Sequence, residues 1–347
     1  MSQNVAGPVT VVIPTRNRRE LLLRTLATVL SQVGVQIDVV VVDEGSTDGT
    51  VEALARLRNN SISVIRHEQP RGVAAARNAG IAAASADWVA FVDDDDLWAP
   101  AKLRAQLDAA QTQQDAQWVC SGAVRLDAQL RLGGPERPPR SSDVLASLFS
   151  SNVIPGGASG VLARTHLVRE VGAFDEGLSN LADYDLWIRL GLASPVGIVD
   201  RPLVGYRVHR SGMAHDVCRS ELELARIEAK YRQLRQEHGI EISPDAFLWY
   251  FGSMYLRLGQ RGPAVRTHLR LALHGDEGRW QALAAAVLGG AAPGLQPLRD
   301  RLQVLRLTPA WRQEAESWIA PLRSAPGPSP TPSPSAARPT SRRRLGA

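Results

Sequence analysis

The sequence predicts an α/β protein: a mostly parallel sheet with flanking helices, followed by a C-terminal helical region and a disordered tail. Three observations carry this. Over residues 1–124, β-branched runs alternate with segments whose apolar residues recur at helical spacing, as in successive βαβ units. From Asp216 the pattern is helical. After Ser324 the chain is rich in Pro, Ser and Arg and has too little apolar surface to offset the entropy of ordering it.

Residues 9–13 form a β-branched run and read as the first strand. Asn17 then offers a helix cap, with Glu20 completing a capping box before the apolar stripe Leu22, Leu26, Val29 and Leu30. The following elements are a strand over 37–42, a helix over 50–57, a strand over 62–65, an Ala-rich helix over 73–84 and a strand over 88–92. A further helix and strand are expected at 102–111 and 118–124. Beyond them the pattern loosens, with Gly133-Gly134 and Pro138-Pro139 marking a loop. Leu224, Ile227, Tyr231 and Leu234 return to helical spacing, and Gly239 suits a helix stop. Ser243-Pro244 and Thr308-Pro309 each read as a cap followed by proline at the first helical position. These signals divide the chain into a domain over 1–215 (halves 1–124 and 125–215), a helical appendage over 216–323 and a tail over 324–347.

With 347 residues the chain can bury a sizeable core. Its most apolar late stretch, 282–288, ends at Gly289-Gly290 and is far shorter than the roughly 20 residues of a membrane span. Residues 1–8 lack the basic and apolar regions of a signal peptide, so a cytoplasmic protein is expected. Cys120 and Cys218 are too few for a disulfide framework and read as reduced packing residues. The formal charge is +5, but Arg338, Arg342, Arg343 and Arg344 in the tail supply four of those charges. The nearly neutral body argues against nucleic-acid binding. The tail could instead hold the chain peripherally at the inner face of an anionic membrane, at about 1 kcal/mol per basic residue near the surface. A terminus without a partner is the alternative.

Chemistry concentrates at the predicted strand ends. Pro14-Thr15-Arg16-Asn17 follows the first strand and Asp43-Glu44-Gly45-Ser46-Thr47-Asp48-Gly49 the second. The fourth strand discharges into Asp93-Asp94-Asp95-Asp96. Asp, Gly, Ser and Thr also make ordinary turns, but in an open α/β sheet three such sets converge on the edge where ligands bind. Four carboxylates within one turn repel each other, and a hard divalent cation, Mg²⁺ or Mn²⁺, would relieve them.

The residues 12–17 (Val-Ile-Pro-Thr-Arg-Asn), 42–48 (Val-Asp-Glu-Gly-Ser-Thr-Asp), 76–80 (Ala-Arg-Asn-Ala-Gly) and 91–98 (Phe-Val-Asp-Asp-Asp-Asp-Leu-Trp) together resemble glycosyltransferase family 2. The resemblance covers residues 9 to about 210 and implies a GT-A fold with inverting transfer from a nucleotide-sugar. By that resemblance Asp93 and Asp95 match the DXD acids that hold the cation, with Asp94 between them at the variable position and Asp96 following as an additional acid. Pro14, Thr15, Arg16, Asp43, Glu44, Ser46, Arg77 and Asp94 fall where the family surrounds the nucleoside and diphosphate. Glu44 stands where relatives usually have aspartate.

Asp183 matches the catalytic base, preceded by Ala182 where relatives have glutamate. Residues 155–160 (Pro-Gly-Gly-Ala-Ser-Gly) fall near the acceptor, and His209, in Tyr206-Arg207-Val208-His209-Arg210, near metal or diphosphate. Trp98 and Trp187 flank the proposed acids, with core packing as their default role. The implied partners are a UDP-, GDP- or dTDP-sugar donor and a glycan or lipid-linked acceptor, as in cell-surface polysaccharide or glycoconjugate synthesis. The alternatives are a non-catalytic nucleotide-sugar-binding protein of the same fold and a metal-dependent nucleotidyltransferase. The second lacks support, since Lys102 and Lys230 are the only lysines and neither sits in a Gly-rich phosphate loop.

Overall fold

The computed structural model describes residues 6–113, 115–140, 144–208, 216–240, 244–257, 259–274 and 304–324. Its first half repeats strand and helix: β1 (Ala6–Thr15), α1 (Arg19–Leu30), β2 (Val35–Asp43), α2 (Thr50–Arg56), β3 (Ile62–Arg66), α3 (Val73–Ala83) and β4 (Trp88–Phe91). All four strands are parallel, in the order β3-β2-β1-β4. β1 is covered on both faces, which is why its sequence is a run of Val and Ile rather than an alternation. Val9, Val11 and Ile13 pack in one core with Leu22 and Leu26 of α1, while Val12 packs in another with Ala74 and Ile81 of α3. Because β2 and β3 extend the sheet to one side of β1 and β4 to the other, the strand order reverses between β1 and β4. That crevice is where an open α/β sheet receives a ligand.

The second half is mixed. After β5 (Leu97–Trp98) and α4 (Lys102–Thr112) come β6 (Trp118–Leu126), β7 (Leu132–Glu136), α5 (Val144–Ser150), a 3₁₀ turn over Gly157–Gly160, β8 (Val161–Arg164), α6 (Thr165–Glu170), α7 (Ala182–Ala193) and β9 (Val196–Arg207). β8 inserts antiparallel between β4 and β6, β9 lies parallel to β6, and β5 closes that side antiparallel to β9. Parallel pairing thus holds for the first four strands and gives way to mixed pairing beyond them.

The helical region begins with α8 (Val217–Glu237), α9 (Pro244–Arg257) and α10 (Arg261–His274), and α11 (Pro309–Ser324) follows later in the chain. Val217, Leu224, Ile227 and Tyr231 of α8 join Phe149 of α5 and Tyr184 of α7 in one core. Trp311, Ala315, Trp318 and Ile319 of α11 instead pack with Leu126 and Leu203. α9 and α11 begin at Pro244 and Pro309 as expected, with Thr308 Oγ1 accepting the Trp311 amide at 3.4 Å, while Ser243 lies outside the described residues. Gly239, at φ +63°, ends α8.

Three sequence expectations need correction. Gly133 and Gly134 do not mark a loop but lie within β7, paired with β6. Asn17 is not the cap of α1: it lies at φ +53°, in the left-handed region, and Arg18 holds the cap position. The capping carboxylate comes from the next loop, where Asp48 accepts the Arg19 amide at 2.9 Å and the Thr50 amide at 3.1 Å. Cys120 is buried, as a packing residue should be, but Cys218 is exposed. No helix among the described residues is long and apolar enough to cross a membrane. His209, the segment 282–288 and the tail from 325 onward lie outside the described residues.

Candidate active site

The three polar sets meet beyond the carboxyl ends of β1, β2 and β4. Pro14 and Thr15 are the last residues of β1, paired with Val42 and Asp43 of β2. The turn after them is held by the loop after β2: the Asn17 amide donates to Ser46 Oγ at 2.9 Å, and Asn17 Oδ1 accepts the Thr47 amide at 2.8 Å. Asn17 is therefore a turn residue whose side chain ties two loops together. Arg16 is exposed at the mouth of this edge. Asp43 is fully buried and accepts the Ser46 amide, with Arg66 Nε at 4.0 Å. Glu44 turns away from these groups. Its Oε1 is paired with His67, and its Oε2 accepts the Arg71 and Gly72 amides, each at 2.6 Å. Both oxygens of Glu44 thus shape the turn that leads into α3.

α3 sends two adjacent residues in different directions. Arg77 is buried, donates to Asp93 at 2.5 Å and lies 5.1 Å from the ring centre of Phe174. Asn78 exchanges hydrogen bonds with the Phe174 backbone, accepting its N–H and donating to its carbonyl, each at 2.9 Å. The chain segment ahead of α7 is thereby fastened to the helix that holds the first acid of the cluster.

The four aspartates have separate surroundings. Asp94 accepts from the Thr15 hydroxyl at 2.7 Å and from Arg18 at 2.9 Å, and Arg18 also reaches Asp95 at 2.8 Å. Asp96 is fully buried, accepting from Ser159 Oγ at 2.5 Å and from the Arg207 amide at 3.0 Å. Burial, reinforced by Asp95, pushes the Asp94 carboxyl up to about 7, against the pull of Arg18. Burial together with Asp95 and Asp93 holds Asp96 well above the ordinary carboxylate range. Asp93 and Asp95 keep the more open side chains, 23% and 12% exposed against 6% for Asp94.

The turn over Gly157–Gly160 links the acids to Asp183. Ser159 Oγ bonds Asp96 and also accepts the Asp93 amide at 3.0 Å, while the Trp98 indole donates to the Ser159 carbonyl at 3.0 Å. Gly156 and Gly157 take φ of +67° and +52°, and a Cβ on Gly157 would stand 3.2 Å from Asp183 Oδ2. Residues 155–160 are thus more than a loop: they carry a bond to the acid cluster and border Asp183. Asp183 is half-buried in the first turn of α7. Burial raises its carboxyl to about 6; Arg77 and the Tyr184 amide oppose this, and Asp93 adds to it. Ala182 is fully buried in the main core. Trp98 and Trp187 are also buried, Trp187 stacked on Trp118 at 6.0 Å, so both rings pack the interior rather than face a sugar. The two lysines are engaged elsewhere, Lys102 with Gln106 and Lys230 with Asp185.

Sequence reasoning did not single out Arg18, which carries a bond to two of the four acids. Its only signal is its place directly after Asn17, at the end of the first polar set. Among the described residues no three His, Cys, Asp or Glu side chains converge on a metal-sized site. Asp93 and Asp95 nonetheless offer hard oxygen ligands, and two carboxylates with a diphosphate and water make a donor set that suits Mg²⁺ or Mn²⁺.

Acids at the switch point of a parallel sheet, with a raised carboxyl near them, mark the edge where α/β enzymes bind their ligands, and solved structures share this fold. The mannosyltransferase PcManGT from Pyrobaculum calidifontis, solved with GDP-Man and Mn2+, superposes with a TM-score of 0.51 at 20% identity, over 92% of this chain and 86% of that one. S. aureus TarS 1-349, solved with UDP-GlcNAc, gives 0.50 at 16% identity over 90% and 92%. Sequence comparison narrows the fold to a family. Residues 10–155 match the glycosyl transferase family 2 model. The chain is 31% identical over 239 residues to the succinoglycan biosynthesis protein ExoO of Rhizobium meliloti (strain 1021), covering 66% of this chain and 68% of ExoO. It is 28% identical over 106 residues to WfaP of Escherichia coli, a UDP-Glc:alpha-D-GlcNAc-diphosphoundecaprenol beta-1,3-glucosyltransferase, over 30% of this chain and 42% of WfaP. The chain belongs to glycosyltransferase family 2 and has the GT-A fold.

Proposed function

We propose that this chain is an inverting glycosyltransferase that moves a sugar from a UDP-, GDP- or dTDP-sugar to an acceptor hydroxyl during synthesis of a polysaccharide or lipid-linked glycan. The observation that carries the reading is the place of Asp183, in the first turn of α7 against the Gly157–Gly160 turn that bonds the acid cluster, with burial raising its carboxyl to about 6. Such a group is ionised near neutral pH yet more basic than an ordinary carboxylate, as a general base needs to be. Asp183 takes the proton from the acceptor hydroxyl as that oxygen attacks the anomeric carbon. Attack opposite the departing nucleoside diphosphate inverts the configuration.

Asp43, Thr15 and Ser46 shape the floor for the nucleoside, and Arg16 and Arg77 supply cations toward the diphosphate. Glu44 acts through the 67–72 turn rather than by touching the base. Mg²⁺ or Mn²⁺ held by Asp93 and Asp95 would supply the charge that stabilises the leaving diphosphate. The names of ExoO and WfaP favour the acceptor class: one relative serves polysaccharide synthesis and the other glycosylates a diphospholipid-linked sugar. Asp183→Asn tests the reading: transfer should fall at least 10³-fold, with nucleotide-sugar affinity by calorimetry unchanged. Undiminished turnover would remove Asp183 from the mechanism.

A further inference from the structure

The segment that leads into α7 has no side-chain cap of its own. Its backbone donors go to α8. Glu223, 2% exposed, accepts the Ser179 amide at 2.9 Å and the Ser179 hydroxyl at 3.1 Å on Oε1, and the Asn180 and Leu181 amides at 2.8 and 2.9 Å on Oε2. Three consecutive N–H groups closing on one anion form a nest, and the last of them lies two residues before Asp183. Arg219, one turn back on α8, donates to Oε1 at 3.1 Å and keeps the carboxylate aimed.

A second fastening lies further along both helices. The fully buried Asp185 of α7 accepts from Lys230 at 2.7 Å and Tyr231 at 2.8 Å, both on α8, and from Arg189 at 2.7 Å. Asn180 adds bonds from its side-chain amide to the Asp216 carbonyl and the Ser220 hydroxyl, each at 2.9 Å. Hydrogen bonds to ionised carboxylates are short, directional and roughly twice as strong as neutral ones. Two such anchors fix where α7 starts and how it is rotated, and the first turn of α7 carries Asp183.

We propose that Glu223 is a positioning residue for the reaction: by gathering the 179–181 amides it sets the direction of Asp183, so α8 is a working part of the transferase rather than an accessory. The inference rests on Asp183 being the base. It predicts an effect on the chemical step and none on the donor, because Glu223 lies on the Asp183 side and bonds none of the residues assigned to the nucleotide.

The test is full-length Glu223→Gln and Glu223→Ala, compared with wild type and Asp183→Asn. We expect kcat to fall at least tenfold in both, with donor Kd within twofold of wild type. A loosened α7 exposes Asp183 to water, so the acidic limb of the kcat profile should move from about 6 toward the ordinary carboxylate range. Hydrogen exchange should quicken at 179–183 and stay unchanged in the 93–98 segment. A residue that only stabilises the fold would lower activity through the folded fraction and leave the limb at about 6. That result, unchanged kcat, or failure of both variants to fold would overturn the proposal. If Asp183→Asn retains full transfer, the failure belongs to the assignment of the base, which the same series reveals.

Discussion

The raised carboxyl of Asp183 makes stability depend on pH. Its folded carboxyl holds a proton up to about 6, above the ordinary aspartate value of 3.8. The folded chain therefore binds that proton more tightly than the unfolded chain does. The associated stability is fully present below about 3.8 and is lost as pH rises through about 6. Asp94, raised to about 7, acts in the same direction. Asp183→Asn removes the charge while keeping the oxygen that accepts the Tyr184 amide. This variant should be more stable than wild type at pH 7.5, by about 1–2 kcal/mol allowing for partial exposure, with the difference vanishing near pH 4. Wild-type kcat should rise with pH through about 6 and then level off. A thermal-melt series across pH and a pH–rate profile check the two halves, and a limb that survived in Asp183→Asn would belong to another group.

Among the elements, α3 shows how packing sets site geometry. Gly80 lies against β1 so closely that a Cβ there would stand 2.3 Å from Val12 Cγ1. Gly80→Ala should cost about 1–3 kcal/mol in denaturant unfolding, and Val12→Ala in that background should recover part of the loss. The chain's first half was legible in sequence because β1, β2 and β4 are covered on both faces and read as unbroken β-branched or aromatic runs. β8 and β5 were not expected: four and two residues long, they carry no periodicity to detect. The twelve-residue β9 also went unanticipated, since Asp200-Arg201-Pro202 interrupts its apolar pattern and its register with β6 shifts nearby. The cap of α1 is not legible in the sequence because the carboxylate that serves it lies 29 residues away. The acids, Arg77 and Asp183 stand out in the sequence as candidates through their resemblance to the family's motifs. Glu223 does not, because on a helix its spacing is that of any solvated glutamate, and only the fold reveals the three amides it meets.

At the scale of the whole molecule, the two halves share their working edge. Arg77 and Asp93 come from the first half and Asp183 from the second, while Asn78 and Ser159 fasten one half to the other. The place of β8 gives this a temporal side. β4 gains its neighbour β1 from earlier in the chain, but its other edge is completed only by residues 161–164. During synthesis, a nascent chain that ends before them presents an unpaired strand edge immediately ahead of four aspartates, and unpaired edges invite mispairing. Ribosome-bound chains of increasing length should therefore gain protease resistance in the 88–98 segment abruptly, once β8 has cleared the exit tunnel. Gradual protection that began when β4 alone emerged would mean that the first half folds independently. On the expected course, the edge that bears the acids and the strand that follows the Gly157–Gly160 turn mature in a single event, so the acid cluster does not take its final form ahead of Ser159, which bonds Asp96 and Asp93.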